Sequence, residues 1–262
     1  MIINNYTLRP MVHSHIEPKI INNLKYVNNV SKEEYLSAPY SAYFTFDFIR
    51  FISDYIDFGD INTIFDIGSR DCMQSLELKK FIPHSKIWAF EGNPNMIEEC
   101  NRNSKLSNDI VVIPKVCSTH NGTTTFNVVN GGNVGASSIL KVTNNGRSKD
   151  WGQTEIKTEA IRLDDFMDEI GLKSVDMLWV DVQGAEKIVF DGMGEKLKDV
   201  KVINTEVGVH DPLYENSINA EELTEYMDKL GFKNMVTYYM DGVFENNDEV
   251  EIVFINKKLI KL

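Results

Sequence analysis

Two acids and a glycine stand at the ends of neighbouring apolar runs, where they could bind a nucleoside. The run IFDIG contains Asp66 and Gly68, and Glu91 follows the run KIWAF, 23 positions after Gly68. The glycine lets the backbone pass close to a ligand, and Glu91 can accept hydrogen bonds from both hydroxyls of a ribose. Asp66 suits a ligand with an ammonium group. The loop GSRDC lacks G-x-G-x-x-G and has Cys72 where a last small residue is expected, so it does not favour a pyrophosphate.

A second group of candidates follows later apolar runs. Asp181 ends MLWVD, and Glu206 and His210 belong to VINTEVGVH. His210 is the natural candidate base because its ordinary pKa is near neutral, and Asp181 or Glu206 could orient an acceptor hydroxyl. Each also has a structural interpretation, as a helix N-cap for Asp181, an ion pair for Glu206 and a structural histidine for His210. A divalent metal ion is a less favoured alternative because no ligand spacing here is diagnostic.

These residues need a scaffold that brings strand ends together, and the pattern of the chain predicts one. From residue 61, short β-rich runs alternate with helical patterns, which indicates βαβ units and a mostly parallel sheet with helices on both faces. TTTFNVV and EIKTEAIRL predict a hairpin-like pair, DIVVIPKVC a single strand, and KNMVTYYM with EVEIVFINKK a closing antiparallel edge. Residues 1–60 are expected to form a largely helical N-terminal extension, and residues 61–262 a single domain.

Composition narrows the class of partner. The chain has 262 residues and a net charge of −12, from 27 basic and 39 acidic residues, so nucleic acid is a disfavoured ligand. Its cysteines, Cys72, Cys100 and Cys117, have no C-x-x-C spacing, which favours reduced thiols in a cytoplasmic protein. No run is apolar enough for a membrane span, and no secretory signal is recognisable. A small molecule or a glycan is the expected partner, and the oligomeric state is left open.

Several motifs in order resemble the FkbM family of S-adenosylmethionine-dependent methyltransferases, from about residue 63 to residue 210. They are IFDIGS, WAFEGNP, IRLDDF, VINTEV and above all VDMLWVDVQGAEKIVFDGM, which is similar to I-D-x-L-K-I-D-V-E-G-x-E. The chain departs from the pattern where Trp179 takes a usual lysine position and where Gln183 replaces the acid of D-V-E-G. The loss of that acid removes one charge from the acceptor side.

The resemblance implies a class I methyltransferase, Rossmann-like fold that binds S-adenosylmethionine across the first strand ends. The residues that it assigns to the cofactor are Asp66, Gly68, Glu91, Asn93, Cys117, Ser118 and Asp181. Asp66 and Gly68 would lie under the methionine part, and Glu91 on the ribose with Asn93 nearby. Cys117 and Ser118 would lie along the adenine, and Asp181 close to the transferred methyl group. Asp181, Glu206 and His210 are the catalytic candidates.

The expected activity is therefore O-methylation of a hydroxyl of a sugar, a glycan or a related small metabolite, with the acceptor class taken from family analogy alone. One alternative, motivated by Cys72 and Gln183, is a protein that binds the cofactor but has lost turnover. Another is an NAD-dependent oxidoreductase, which the missing G-x-G-x-x-G disfavours. The Gly- and Asn-rich loop NGGNVGASS is either a plain surface loop or a flap over the acceptor.

Overall fold

The computed structural model describes residues 11–12, 45, 48–130, 134–143, 148–209, 213–239 and 249–260. His210 and most of the predicted extension, residues 1–60, lie outside these ranges. Residues 48–52 of that segment are helical, and Phe48 and Ile52 are buried in one core cluster with Trp179. The division into an extension and a single domain stays a prediction.

Eleven strands form two sheets in the described residues. In chain order they are β1 (Met11–Val12), β2 (Thr63–Ile67), β3 (Lys86–Phe90), β4 (Ile110–Ile113), β5 (Val116–Cys117), β6 (Gly122–Asn130), β7 (Gly152–Ile161), β8 (Met177–Val180), β9 (Val202–Gly208), β10 (Phe232–Tyr239) and β11 (Glu249–Asn256). The large sheet has the order β1-β10-β11-β9-β8-β2-β3-β4. The five strands from β9 to β4 in this order are parallel, whereas β11 runs antiparallel to both β9 and β10.

Helices cover both faces of the large sheet, as the alternation of the sequence predicts. They are α1 (Met73–Phe81), α2 (Ile97–Ser104), α3 (Leu163–Glu169), α4 (Glu186–Met193) and α5 (Ala220–Lys229). Buried residues of α3, α4 and α5 share a core cluster with Phe65 and Ile67, and buried residues of α1 share another with Ile64. Successive residues of β2 therefore point to opposite faces, and both faces are buried.

The small sheet has the order β5-β7-β6, and its β6–β7 pair confirms the predicted hairpin. The predicted single strand DIVVIPKVC is wrong: β4 ends at Ile113 in the large sheet, and β5 pairs with β7 in the small one. Pro114 stands between them, and a proline cannot donate the backbone hydrogen bond that a continuous strand needs. The chain therefore passes from the large sheet to the small one between Ile113 and Val116.

The antiparallel pairing of β10 with β11 is confirmed, but β11 lies inside the sheet and not at its edge. Every residue of β11 is buried. The first residue of this reversed strand, Glu249, pairs with Gly208 at the carboxyl end of β9. Residues from the start of β11 therefore reach the same end of the sheet as residues from the ends of the parallel strands.

Candidate active site

A cavity of about 300 Å³ lies over the carboxyl ends of β2, β3 and β8. From β2 the chain builds β3 and β4 on one side and later returns to form β8 and β9 on the other. The cavity therefore sits at the topological switch point, where open α/β sheets bind their ligands. Seven of the nine predicted site residues line it: Asp66, Gly68, Glu91, Asn93, Cys117, Asp181 and Glu206. His210 lies outside the described residues.

Gly68 allows β2 and β8 to approach at the switch point. Its φ is +83°, and a Cβ at this position would lie 1.7 Å from the carbonyl oxygen of Asp181. The backbone N–H of Asp181 donates to the carbonyl oxygen of Ile67 at 2.9 Å, which joins the two strand ends directly. Only a residue without a side chain fits here, so the glycine of IFDIG serves packing as well as ligand approach.

The loop after Gly68 contains two residues with left-handed backbones, Arg70 with φ 51° and Cys72 with φ 62°. Such a conformation is disfavoured for residues with a Cβ, and backbone strain of this kind concentrates at ligand-binding sites. Cys72 is fully buried in a small cluster with Cys100, whose thiol donates to the carbonyl oxygen of Arg70 at 2.8 Å. Cys72 thus packs against Cys100 behind the loop, and Cys100 stabilises the turn through its bond to Arg70.

Asp66 is a buried acid with fixed partners. Its Oδ2 accepts hydrogen bonds from the hydroxyls of Ser75 at 2.5 Å and Ser69 at 3.0 Å. Burial raises the pKa of Asp66 to about 6, although these two hydroxyls act in the opposite direction. The carboxylate is therefore oriented before any ligand binds, and an ammonium or sulfonium group nearby would favour its ionised form.

Glu91 is oriented by backbone groups. Its Oε2 accepts from the N–H of Arg70 at 2.7 Å, and its Oε1 accepts from the N–H of Asn93 at 2.5 Å. Burial raises its pKa to about 7 against the effect of these bonds. Each carboxylate oxygen can accept a second hydrogen bond, so both remain able to bind a ribose hydroxyl from the cavity. These two acceptor oxygens fit the ribose hydroxyls of the nucleoside part of S-adenosylmethionine.

The two residues predicted to border the adenine, Cys117 and Ser118, lie in different surroundings. Cys117 lines the cavity, and burial raises the pKa of its thiol, so it acts there as a small apolar surface. Ser118 does not line it: its hydroxyl lies 3.3 Å from His120 Nδ1 and its N–H donates to Ile161. The apolar wall beside Cys117 is completed by Val116 and Phe126, which could face an adenine ring.

A further set of side chains lines the cavity around the ends of β8 and β9. Asp181 accepts a hydrogen bond from Gln183 Nε2 at 2.6 Å, and its pKa is raised by burial while Gln183 and Arg70 act against the rise. Glu206 and Trp151 also line the cavity. Val134, Gly135 and Ser137 of the Gly- and Asn-rich loop also line it. The segment Val134–Ala136 forms a 3-10 turn there, which we call the flap.

Sequence reasoning missed three acids around this part of the cavity. Glu249 lines the cavity beside Glu206, and Glu251 is buried with its Oε2 accepting from Asn204 at 2.7 Å. Glu186 is only 1% exposed, and burial raises the pKa values of Glu186 and Glu251 to about 8. The alternation EVEIVF was a usable signal, because residues two apart share a face of the strand.

The described part of the chain has neither a cluster of metal ligands nor a membrane-spanning helix. There, no three His, Cys, Asp or Glu side chains converge in a way that could hold a metal ion. None of the helices in those ranges has the length and hydrophobicity that crossing a membrane requires.

A sheet with this order, one reversed strand beside β9, and acids after its first two parallel strands define the class I methyltransferase fold. The family model described as methyltransferase FkbM domain matches residues 66–233. The chain belongs to this family, and it is an S-adenosylmethionine-dependent methyltransferase. The NAD-dependent oxidoreductase alternative loses its support.

Individual proteins that are similar to this chain are also methyltransferases. The 2-O-methyltransferase NoeI of Sinorhizobium fredii (strain NBRC 101917 / NGR234) is 29% identical over 203 residues, which are 75% of this chain and 80% of that protein. Methyltransferase 1 of Beauveria bassiana (strain ARSEF 2860) is 30% identical over 166 residues, which are 58% of this chain and 67% of that protein. The crystal structure of methyltransferase FkbM from Methylobacillus flagellatus KT superposes with a TM-score of 0.50 at 10% identity, covering 88% of this chain and 57% of that one. This last likeness supports the fold alone.

Proposed function

We propose that the protein methylates a hydroxyl group of a sugar, a glycan or a related small polyhydroxyl metabolite. The observation that carries the proposal is the cavity, which is lined by two pairs of acids, Asp66 with Glu91 and Asp181 with Glu206. The likeness to a 2-O-methyltransferase supports an oxygen acceptor. The location in the cytoplasm and the exclusion of nucleic acid stay predictions.

The first pair of acids would hold the methyl donor. Asp66 would lie under its methionine part, and Glu91 would accept from the ribose hydroxyls, with Asn93 beside it. S-adenosylmethionine supplies a methyl group that its sulfonium centre already activates. The chain's own task is therefore to bind the donor, exclude water and align an acceptor oxygen with that group.

The second pair would act on the acceptor. Carboxylates accept hydrogen bonds from hydroxyls, so Asp181 and Glu206 can orient a sugar hydroxyl, and Trp151 offers an apolar ring on which a sugar face can stack. Removal of the hydroxyl proton needs a base within hydrogen-bond reach. His210 and these two acids are the proposed candidates.

Binding of S-adenosylhomocysteine, measured by calorimetry, tests the donor site. We expect Glu91→Ala to weaken binding at least tenfold, and Glu99→Ala to leave it unchanged, because Glu99 pairs with Arg102 on the exposed surface of α2. The donor site would be rejected if the native protein did not bind or if Glu91→Ala bound as tightly.

Transfer of a labelled methyl group to a panel of neutral sugars, amino sugars and short glycans tests the acceptor class. Incorporation that is lost in Asp181→Asn supports the proposal. Tight donor binding without transfer to any member would instead favour the alternative of a cofactor-binding protein without turnover.

A further inference from the structure

The side-chain amide of Gln183 forms hydrogen bonds at both of its ends. Its Nε2 donates to Asp181 Oδ1 at 2.6 Å, and its Oε1 accepts from the Tyr214 hydroxyl at 2.8 Å. The same hydroxyl lies 2.9 Å from the carbonyl oxygen of Ala136, so its single proton is shared between two acceptors. A continuous chain of hydrogen bonds therefore runs from the flap to the acid at the switch point.

The backbone holds Gln183 in an unusual conformation to make these contacts. Its φ is +55°, in the left-handed region, and the φ of the following Gly184 is +91°. A Cβ on Gly184 would lie 3.0 Å from two side-chain atoms of Tyr214, which is only 2% exposed. The turn is packed tightly against the tyrosine, and this packing aims the amide at Asp181.

We propose that Gln183 is a positioning residue for methyl transfer. Its N–H group fixes the direction of the Asp181 carboxylate, and its amide oxygen, through Tyr214, ties that carboxylate to the flap. The inference rests on the proposed function, because the direction of Asp181 matters to turnover only if the methyl group is transferred beside it.

An amide suits this place because the surroundings are rich in acids. The charged groups that act on Asp181 or line its cavity come from the neighbouring strands, helix and loops: Asp66, Arg70, Asp71, Glu91, Lys115, Glu186, Glu206, Glu249 and Glu251. Seven of these nine groups are acids. They disfavour a second negative charge beside Asp181, and a fixed N–H donor favours the ionised, acceptor form of its carboxylate.

A glutamate at position 183, where the related signature D-V-E-G has its acid, would behave differently. Two carboxyl groups at hydrogen-bond distance must share one proton, so the contact would survive only while that proton is bound. The amide of Gln183 keeps its N–H at every pH. The structure thus contains a version of the contact whose hydrogen-bond donor does not titrate.

The variant Q183E tests the contact between residue 183 and Asp181 without any ligand. Its folded state should hold one proton that the unfolded chain releases above the ordinary pKa of a carboxyl group. Its unfolding equilibrium constant, relative to that of the native protein, should then rise with pH by up to tenfold per pH unit until the shared proton dissociates. Chemical denaturation at several pH values between about 5 and 8 measures the ratio.

One further variant serves as a control for the proton. Q183A has no second carboxyl group, so its ratio should rise with pH only as far as the loss of the Gln183 N–H raises the pKa of Asp181. The rise should therefore be smaller than in Q183E. A flat ratio in Q183E would overturn the inference. If Q183E does not fold, a flat ratio in Q183A would overturn it as well, since the Gln183 N–H would then have no effect on Asp181.

Kinetics test the arm that reaches the flap. The substrate is the acceptor found in the panel. Y214F should lower kcat about tenfold or more and leave the KM for S-adenosylmethionine within twofold of the native value. In Q183E, kcat should fall as the pH rises. An unchanged kcat in Y214F would remove the link to the flap. Failure of the proposed function would appear separately, as a native protein that does not bind S-adenosylhomocysteine while the denaturation result stands.

Discussion

Gly68→Ala should separate the two strands that form the floor of the cavity. The new Cβ would lie 1.7 Å from the Asp181 carbonyl oxygen, whereas ordinary contact begins near 3.4 Å, so one strand end must move by more than an ångström. The 2.9 Å hydrogen bond from Asp181 N–H to Ile67 would then be lost, at about 1–3 kcal/mol. A left-handed backbone with a Cβ adds about 1–2 kcal/mol. The free energy of unfolding should therefore fall by about 3 kcal/mol.

Gly231→Ala is the matched control for backbone strain. Gly231 has a φ of +93°, and a Cβ there would meet nothing within 4 Å. Its loss of stability should be limited to about 1–2 kcal/mol, and its affinity for S-adenosylhomocysteine should be unchanged. Gly68→Ala should weaken that affinity at least tenfold, because Asp66 and Asp181 move apart. Denaturation and calorimetry measure both quantities, and native-like binding by Gly68→Ala would refute the argument from the close approach.

Three other substitutions separate the roles of buried polar groups. Glu91→Gln should raise the free energy of unfolding of the free protein by about 3 kcal/mol near pH 8 and by little near pH 4. The reason is that the pKa of Glu91 in the folded protein, about 7, lies above the ordinary 4.5, so the native protein loses stability as the pH rises through that interval. Chemical denaturation of both proteins across this pH range measures the difference. Ser75→Ala removes a 2.5 Å bond to Asp66, so it should raise the pKa of that acid further and weaken S-adenosylhomocysteine binding, measured by calorimetry at several pH values. Asp176→Asn should lower the free energy of unfolding by about 2 kcal/mol at neutral pH, because burial of Asp176 is outweighed by hydrogen bonds from Lys201 and Thr63 that lower its pKa. The loss should shrink as the pH falls below about 4. Calorimetry should show unchanged binding of S-adenosylhomocysteine.

The parts of the fold that could be predicted are those that local pattern determines. Helices follow from their periodicity, the β6–β7 pair from two β-rich runs, and the position of Asp66 and Glu91 from the rule that parallel strands end at one edge. The same rule places Asp181 beside them. These predictions need only the order of elements along the chain, and the order of elements is what a single sequence displays.

The remaining features depend on pairing between distant segments. Nothing local indicates that β11 inserts between β9 and β10. The sequence therefore indicates that Glu249 and Glu251 share a face of their strand, but not that Glu249 lines the cavity. Pro114 was visible, but its consequence, a chain that changes sheets, depends on where β5 finds a partner. Trp179 stands at a usual lysine position, and the reason appears only in the fold: its ring packs against Phe48 with the centroids 5.3 Å apart.

The reversed strand β11 has a consequence for synthesis. It occupies an interior place in the large sheet, although it is made after every other strand described. Until residue 256 has left the ribosome, no strand joins β9 to β10, and the part of the cavity wall that Glu249 provides is missing. A nascent chain that already contains Asp66, Glu91 and Asp181 therefore still lacks the complete wall of the cavity.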